Sequence, residues 1–334
     1  MSVELVKLVR DGTVESVHRG SIAVVNTKGD LLYEMGDAER ITFFHSSAKP
    51  FQAIAALETG IVEKFNLELK EIAIMSSSHI GDKEHIETLS SLMKKIGVEE
   101  KQLLCGTHEP YSKDAAKELI RAGLSPSPIY CNCSGKHLGM LAASKSKSFS
   151  LETYNEPEHE IQKEIKNVIS DFSGVNPEDI VIATDGCGAP VFGIPLKNMA
   201  RAFANLGNIE FMGGKYSKSQ NYIISAVTMY PEMIAGKGRM DTELMQRFGD
   251  RLFIKTGAEA VSCAAILGRS IGISIKIDDG YPRAVAPVML ELLRQLKVIN
   301  NKEAEELREY WIPPVKNNLG EKVGELKATF SILQ

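Results

Sequence analysis

Extended, β-branched segments stand at both ends of this chain with a mostly helical stretch between them, an order that rules out a regular strand–helix alternation. Val14 to Tyr33 is rich in Val and Ile, and the turn Asn26-Thr27-Lys28-Gly29-Asp30 divides it into a predicted hairpin. Further strands are predicted at residues 71–75, 179–183, 251–255, 272–277 and 325–331. A helix is predicted from Ser46 to Thr59, with Phe51, Ile54, Ala55 and Leu57 on its apolar side, Pro50 near its first turn and Gly60 as its stop. Apolar spacing predicts others at 82–96, 113–122, 136–144, 157–170, 196–206, 217–229, 242–248 and 284–296. The fold class is therefore α+β, with the late strands completing the sheet that the early ones begin. Residues 1–300 are expected to form one unit with a helical middle at about 82–250, followed by an extension at 301–334.

A chain of 334 residues can bury a large core. Lys and Arg number 39 against 43 Asp and Glu, a net charge of −4 without any long charged block. Nucleic acid is excluded as an expected partner, because phosphate binding needs a concentrated positive field. A small molecule is expected instead. Met1 to Arg10 lacks the apolar core of a signal peptide, and no stretch approaches the roughly 18 apolar residues of a membrane span. Five cysteines are an odd number in a chain too large to need staples, and three of them lie in Gly-rich polar loops. That usage suits a reducing cytoplasm, and a metal or catalytic role, better than a disulfide framework.

Ser46-Ser47-Ala48-Lys49 places a serine and a lysine three apart, on one face of a predicted helix start. A lysine so placed can act as general base if burial or a neighbouring cation lowers its pKa, and the helix N-terminus favours an alkoxide. A serine that merely caps a helix reads the same way, and the spacing recurs at Ser91/Lys94 and Ser144/Lys147 on what read as solvated faces. Lys255-Thr256-Gly257 supplies a second lysine after a predicted strand, beside a glycine that lets a substrate approach the backbone. Ser76-Ser77-Ser78-His79 puts hydroxyls where a loop is expected to leave the sheet, a position that more often satisfies backbone than relays protons.

Cys131-Asn132-Cys133-Ser134-Gly135-Lys136-His137 and Asp185-Gly186-Cys187-Gly188 each set a cysteine among glycines and charged residues. Thiolates from two loops plus a nitrogen donor would make a three-ligand zinc site with an open fourth position. The plainer reading of Cys131 and Cys133 is that they alternate faces of a strand, one of them buried. Other familiar motifs fail. Val191 stands where a dinucleotide fingerprint starting at Gly186 needs its third glycine, and neither Gly135-Lys136 nor Gly236-Lys237 belongs to a phosphate loop. His79 and His85 are six apart, which does not place them on one helix face.

In their order along the chain, several of these segments resemble the rhizobial-type (class 3) asparaginases, often called asparaginase II. The matching stretches are Glu15-Ser-Val-His-Arg-Gly, Ser46-Ser-Ala-Lys-Pro-Phe-Gln-Ala, Ser78-His-Ile-Gly-Asp-Lys-Glu-His and Cys105-Gly-Thr-His. They continue through Asn132-Cys-Ser-Gly-Lys-His-Leu-Gly-Met-Leu, Asp185-Gly-Cys-Gly-Ala-Pro, Pro231-Glu-Met-Ile-Ala-Gly, Lys255-Thr-Gly-Ala-Glu and Lys276-Ile-Asp-Asp-Gly. The resemblance runs from about residue 10 to 290 and leaves the tail after Asn300 uncovered. Glu109, Asp82 and Ala260 depart from the family pattern; Ala260 replaces an expected glycine in the loop beside the substrate.

The resemblance implies a fold similar to serine β-lactamases, penicillin-binding proteins and serine-dependent glutaminases, with a mainly antiparallel sheet. It implies Ser46 as nucleophile with Lys49 as partner, and Ser78 with Lys255 as a second pair. It implies zinc ligands at Cys133, Lys136 and Cys187, with Asp185 beside them orienting water or substrate, and a metal that tunes affinity rather than driving hydrolysis. A lysine ligand requires a neutral amine, which zinc can enforce. The implied substrate is L-asparagine, hydrolysed to aspartate and ammonia, and the implied assembly is a homodimer. Asp185 and Glu259 are candidates for the substrate ammonium, and His137 and Arg239 for its carboxylate. Glutamine differs by one methylene, about 1–3 kcal/mol of discrimination, so a glutaminase stays open. A non-catalytic zinc or amino-acid sensor would not need both serine–lysine pairs.

Overall fold

The computed structural model describes residues 1–332; residues 333 and 334 of the expected extension lie outside it. The strands are β1 (Val3–Arg10), β2 (Thr13–Asn26), β3 (Leu31–Met35), β4 (Ile41–Phe43), β5 (Val181–Thr184), β6 (Pro190–Pro195), β7 (Leu252–Gly257), β8 (Val261–Ile266), β9 (Ile271–Ile277), β10 (Pro314–Lys316) and β11 (Lys322–Ala328). Among the described residues, eight of them form an antiparallel sheet in the order β10-β11-β1-β2-β9-β8-β7, with β3 also on β2. The long β2 makes this possible. Its residues 13–20 pair with β1, and its buried second half, Ile22–Val25, pairs with β3 on one side and β9 on the other. A small antiparallel sheet, β4-β6-β5, sits apart. The α+β reading holds, and the late strands do complete the early sheet.

The helices are α1 (Lys49–Leu57), α2 (Ile61–Phe65), α3 (Leu69–Met75), α4 (Lys83–Ile96), α5 (Lys113–Arg121), α6 (Ser134–Lys147), α7 (Glu160–Ser173), α8 (Leu196–Leu206), α9 (Ser217–Met229), α10 (Met240–Phe248), α11 (Val285–Gln295), α12 (Asn301–Glu306) and α13 (Arg308–Trp311). Every residue of α1 is buried, the signature of a helix enclosed on all sides, here among α3, α6, α7 and α9. Phe51 fixes its seat, meeting Phe44, Phe172 and Phe203 at ring-centroid distances of 5.9, 5.3 and 5.4 Å. On the other side of the core α8 lies across β2, β8 and β9.

Residues 71–75, expected as a strand, are the end of α3. A short apolar run does not distinguish the two states, and the deciding signal is the reciprocal cap between Glu68 and Glu71 at the helix start. Ser76–His79 therefore leaves a helix, not a sheet. Nor do Cys131 and Cys133 alternate on a strand, since they flank Asn132 in the turn that enters α6. Asp82, one of the family departures, caps α4 by accepting the His85 amide at 3.1 Å. Residues after 300, expected as an extension, share the core: β11 pairs with β1, and Ala304, Leu307, Leu326 and Phe330 join the same cluster of buried side chains as Leu5.

Candidate active site

Ser46 lies in a single 3-10 turn, His45–Ala48, that leads directly into α1. His45 is held at φ 47°, in the left-handed region that a non-glycine residue enters only at a cost, and such strain concentrates at functional sites. The turn is pinned from the sheet side. Ser47 Oγ donates to the Lys255 carbonyl at 2.9 Å, and a Cβ on Gly257 would stand 2.7 Å from the Phe44 carbonyl and 3.3 Å from the Ser46 nitrogen. Glycine at 257 thus serves the close approach of β7 to the serine-bearing turn.

The next turn of chain aims Lys49 inward. Its Nζ donates to the Ser77 carbonyl, to Ser78 Oγ at 3.0 Å and to the Asn132 carbonyl at 3.1 Å. From β7, Lys255 Nζ reaches the same Ser78 Oγ at 3.1 Å, the Thr256 carbonyl at 2.9 Å and Asp241 Oδ2 at 3.4 Å. Both lysines are fully buried. Burial lowers the Lys255 pKa most; Asp241 opposes it, and the positive charges of Lys49 and Arg239 reinforce it, leaving the amine at about 8. Ser78 is held by its own amide, which donates to the Ile234 carbonyl at 2.9 Å.

Ser46 and Ser78 line one cavity of about 300 Å³, a size suited to a small amino acid. Asn132, Tyr111, Arg239 and Glu259 are among its other lining residues, Tyr111 stacking on His108 at 4.8 Å. Glu259 and Ala260 hold φ 56° and 54° in the tight β7–β8 turn. This explains why a glycine is expected at 260, since both central residues of such a turn are left-handed. A larger cavity of about 570 Å³, lined by Arg251, Arg294 and Asn300, contains none of these groups.

Beside this cavity lies a cluster of sulfur, nitrogen and oxygen. The β5–β6 turn supplies Asp185 and Cys187, and the start of α6 supplies Cys133 and Lys136. That helix start is set by Gly135, whose Cβ would fall 2.0 Å from the Ile74 carbonyl of α3. Donor atoms of Cys133, Asp185 and Cys187 lie within 4.8 Å of one another, and Lys136 Nζ is 2.9 Å from Cys187 Sγ and 3.8 Å from Asp185 Oδ2. Hydrogen bonds from Cys131 and Cys187 hold the Cys133 thiol well below its usual range, while donating that bond pushes Cys187 up. Burial opposes the charge on Lys136, but Cys133, Cys187 and Asp185 outweigh it and raise its pKa. Burial also opposes ionisation of Asp185, but the hydrogen bond between His45 and Asp185, together with the positive charge of Lys136, overcomes it and holds the carboxyl at about 2.

Asp185 Oδ1 and His45 Nδ1 are 3.1 Å apart, so one carboxylate touches both the sulfur cluster and the Ser46 turn. Asn132 forms a second link, with its carbonyl on Lys49 and its chain neighbour Cys133 in the cluster.

Of the residues expected from sequence, Ser46, Ser78, Arg239 and Glu259 meet at the cavity, Lys49 and Lys255 stand behind Ser78, and Cys133, Lys136, Cys187 and Asp185 meet in the cluster. His137 stands apart from that cavity, fully buried on α6 with Nδ1 2.8 Å from the Tyr154 hydroxyl, and burial lowers its pKa to about 3. Sequence reasoning missed Asp241, His45, Tyr111 and the Asn132 carbonyl. Asp241 is 14 residues from its partner with no motif between them, and only the packing of α10 on β7 joins the two.

Two serine hydroxyls thus line one small cavity, and two buried lysines stand behind one of them. The chain belongs to the L-asparaginase II family, whose profile matches residues 6–328. The match extends past residue 300 to the end of β11. No curated protein matches the chain significantly. Among solved structures it is similar to Mglu in its native form, with a TM-score of 0.37 and 15% identity over 84% of this chain and 65% of that one. Mglu in its L-glutamate binding form gives a TM-score of 0.38 and 15% identity over 84% of this chain and 60% of that one. The chain thus spans less than two thirds of either. No helix among the described residues is long and apolar enough to cross a membrane.

Proposed function

We propose that the protein hydrolyses L-asparagine to L-aspartate and ammonia through an acyl-enzyme on Ser46. The observation that carries this reading is the convergence of Lys49 and Lys255 on Ser78 Oγ at the wall of the cavity that Ser46 lines. Lys49 accepts the Ser46 proton as the oxygen attacks the side-chain amide carbon. The C–N bond breaks, the departing nitrogen takes a proton through Ser78 from Lys255, and ammonia leaves. Water then attacks the ester carbon and passes one proton through Ser78 to Lys255, the Lys49 proton returns to the Ser46 oxygen as the C–O bond breaks, and the other water proton leaves with the aspartate carboxyl group. Backbone N–H groups of the Ser46 turn are the donors for the tetrahedral oxyanion, each commonly worth about 3–4 kcal/mol. Arg239 is assigned to the substrate carboxylate and Glu259 to its ammonium, supported by their places in the cavity wall.

Zinc is proposed at Cys133, Lys136 and Cys187, with Asp185 alongside. The fit rests on the donor set, because two thiols, an amine and a carboxylate converging on one spot suit zinc. When bound, zinc supplies a fixed positive charge that keeps both thiols ionised and Lys136 neutral. Asp185 then steadies the Ser46 turn through His45, and Asn132 steadies Lys49. These contacts support an effect on substrate affinity.

Ammonia release from asparagine and glutamine, by the wild type and by Ser46→Ala, tests the reading. Release from asparagine that vanishes in the variant supports it. Release from neither amide by folded wild type overturns it, and faster release from glutamine reassigns the substrate.

A further inference from the structure

Hydrogen-bond counting around Ser78 assigns a charge. Ser78 Oγ carries one hydrogen and can donate it to one lysine only, which must then be a neutral amine with a free lone pair. Were both lysines ammonium ions, Ser78 Oγ would accept from both and turn its hydrogen to the cavity, but two buried charges would repel. With one of the two charged, two arrangements satisfy every group. In one, Lys255 is charged and donates to Asp241, the Thr256 carbonyl and Ser78, while Ser78 donates to Lys49 and Lys49 donates to the Ser77 and Asn132 carbonyls. In the other the proton sits on Lys49 and the Ser78 hydroxyl turns round.

Asp241 separates the two. It is 1% exposed, and its Oδ2 accepts from the Thr256 amide at 2.9 Å and hydroxyl at 2.7 Å besides facing Lys255, while Oδ1 has no hydrogen-bond partner among the described residues. With Lys255 neutral, this carboxylate would be buried without its cation, a costly state. Lys49 faces carbonyl oxygens and a hydroxyl but no carboxylate.

We infer that Asp241 is a positioning residue that keeps the shared proton on Lys255 and turns the Ser78 hydroxyl toward Lys49, leaving Lys49 as the amine that takes a proton. This assignment of roles rests on the serine–lysine reading above. The charged and titratable groups facing Lys255 are Asp241 of α10, Arg239 just ahead of it, Lys49 of α1 and the buried Cys263 opposite on β8, whose burial pushes its thiol up. Asp241 supplies the negative charge in this set, and the Lys255 value of about 8 reflects its pull against burial.

The test follows the ¹³Cε resonance of Lys255 against pH, assigned by its loss in Lys255→Met, in the wild type, Asp241→Asn and Asp241→Glu. In the wild type Lys255 is expected to be charged at neutral pH. In Asp241→Asn its midpoint falls by about one pH unit or more, kcat at neutral pH drops roughly tenfold or more with little change in KM, and Asp241→Glu moves both back. A role in folding alone would lower stability and leave the midpoint where it was. An unchanged midpoint in folded Asp241→Asn overturns the inference. If that variant fails to fold, a neutral Lys255 in the wild type at neutral pH overturns it and a charged one sustains it. The titration needs no substrate, so a wild type inert on asparagine would sink the proposed function and leave this result to be judged by itself.

Discussion

The side-chain nitrogens of Lys49 and Lys255 converge on one oxygen, Ser78 Oγ, from a buried helix and from a sheet strand, at 3.0 and 3.1 Å. Two positive charges facing one oxygen are mutually unfavourable when both amines are buried, and this favours a single shared proton. Acid–base catalysis near neutral pH needs such a state.

The first expectation concerns pH. In the general-acid role proposed for it, Lys255 must be protonated, so turnover should fall as pH rises through about 8. The same shift has a stability sign. The unfolded lysine keeps its proton to about 10.4, whereas the folded one loses it near 8, so between these values the unfolded state binds more protons and stability rises with pH. Urea unfolding of wild type against Lys255→Met should show the wild type gaining relative stability across that window. A pH-independent difference would contradict the shift.

Gly257→Ala would press a methyl group against the Phe44 carbonyl and the Ser46 nitrogen. The expected cost is roughly 1–3 kcal/mol of stability, with a larger fall in kcat than in ordinary core overpacking because the displaced backbone carries Ser46, the proposed nucleophile. Thermal melting and steady-state kinetics check both, and a normal kcat would separate the turn from catalysis.

Ala260→Gly should stabilise the protein. Alanine at φ 54° carries a left-handed penalty of about 1–2 kcal/mol, against which glycine's greater entropy in the unfolded chain takes back about half. A net gain of a few tenths to about 1 kcal/mol in denaturant unfolding is expected. A loss would mean that the Ala260 side chain, 2% exposed, packs well enough to offset the strain.

These positions also show what could be read from sequence and what could not. Helices at 196–206 and 217–229 fall where apolar spacing places them, because one face of each meets a core. Residues 71–75 misled because five apolar-rich residues fit either state, although the Glu68/Glu71 cap was there to be read. Strands β1, β6 and β8 escaped notice. Val261–Ile266, for one, is a continuous buried run without the alternation that marks a half-exposed strand. At the site, Ser46, Lys49, Ser78 and Lys255 were legible because each lies in a local motif. Asp241 and the His45–Asp185 contact were not, because they join residues 14 and 140 apart through packing alone.

Metal content offers a fourth check. Purified wild type is expected to carry zinc, and Cys133→Ser and Cys187→Ser to lose it, with KM for asparagine rising more than kcat falls. Elemental analysis of the three proteins reads the first part and kinetics the second. Zinc retained in both variants would move the ligand set elsewhere.

The most direct measurement is acid-quenched peptide mass spectrometry of the enzyme during turnover of asparagine. The account predicts a β-aspartyl ester on Ser46, absent in Ser46→Ala and accumulating when ester hydrolysis is slowed. An adduct on Ser78, or turnover of asparagine with no covalent species under any quench, would contradict it.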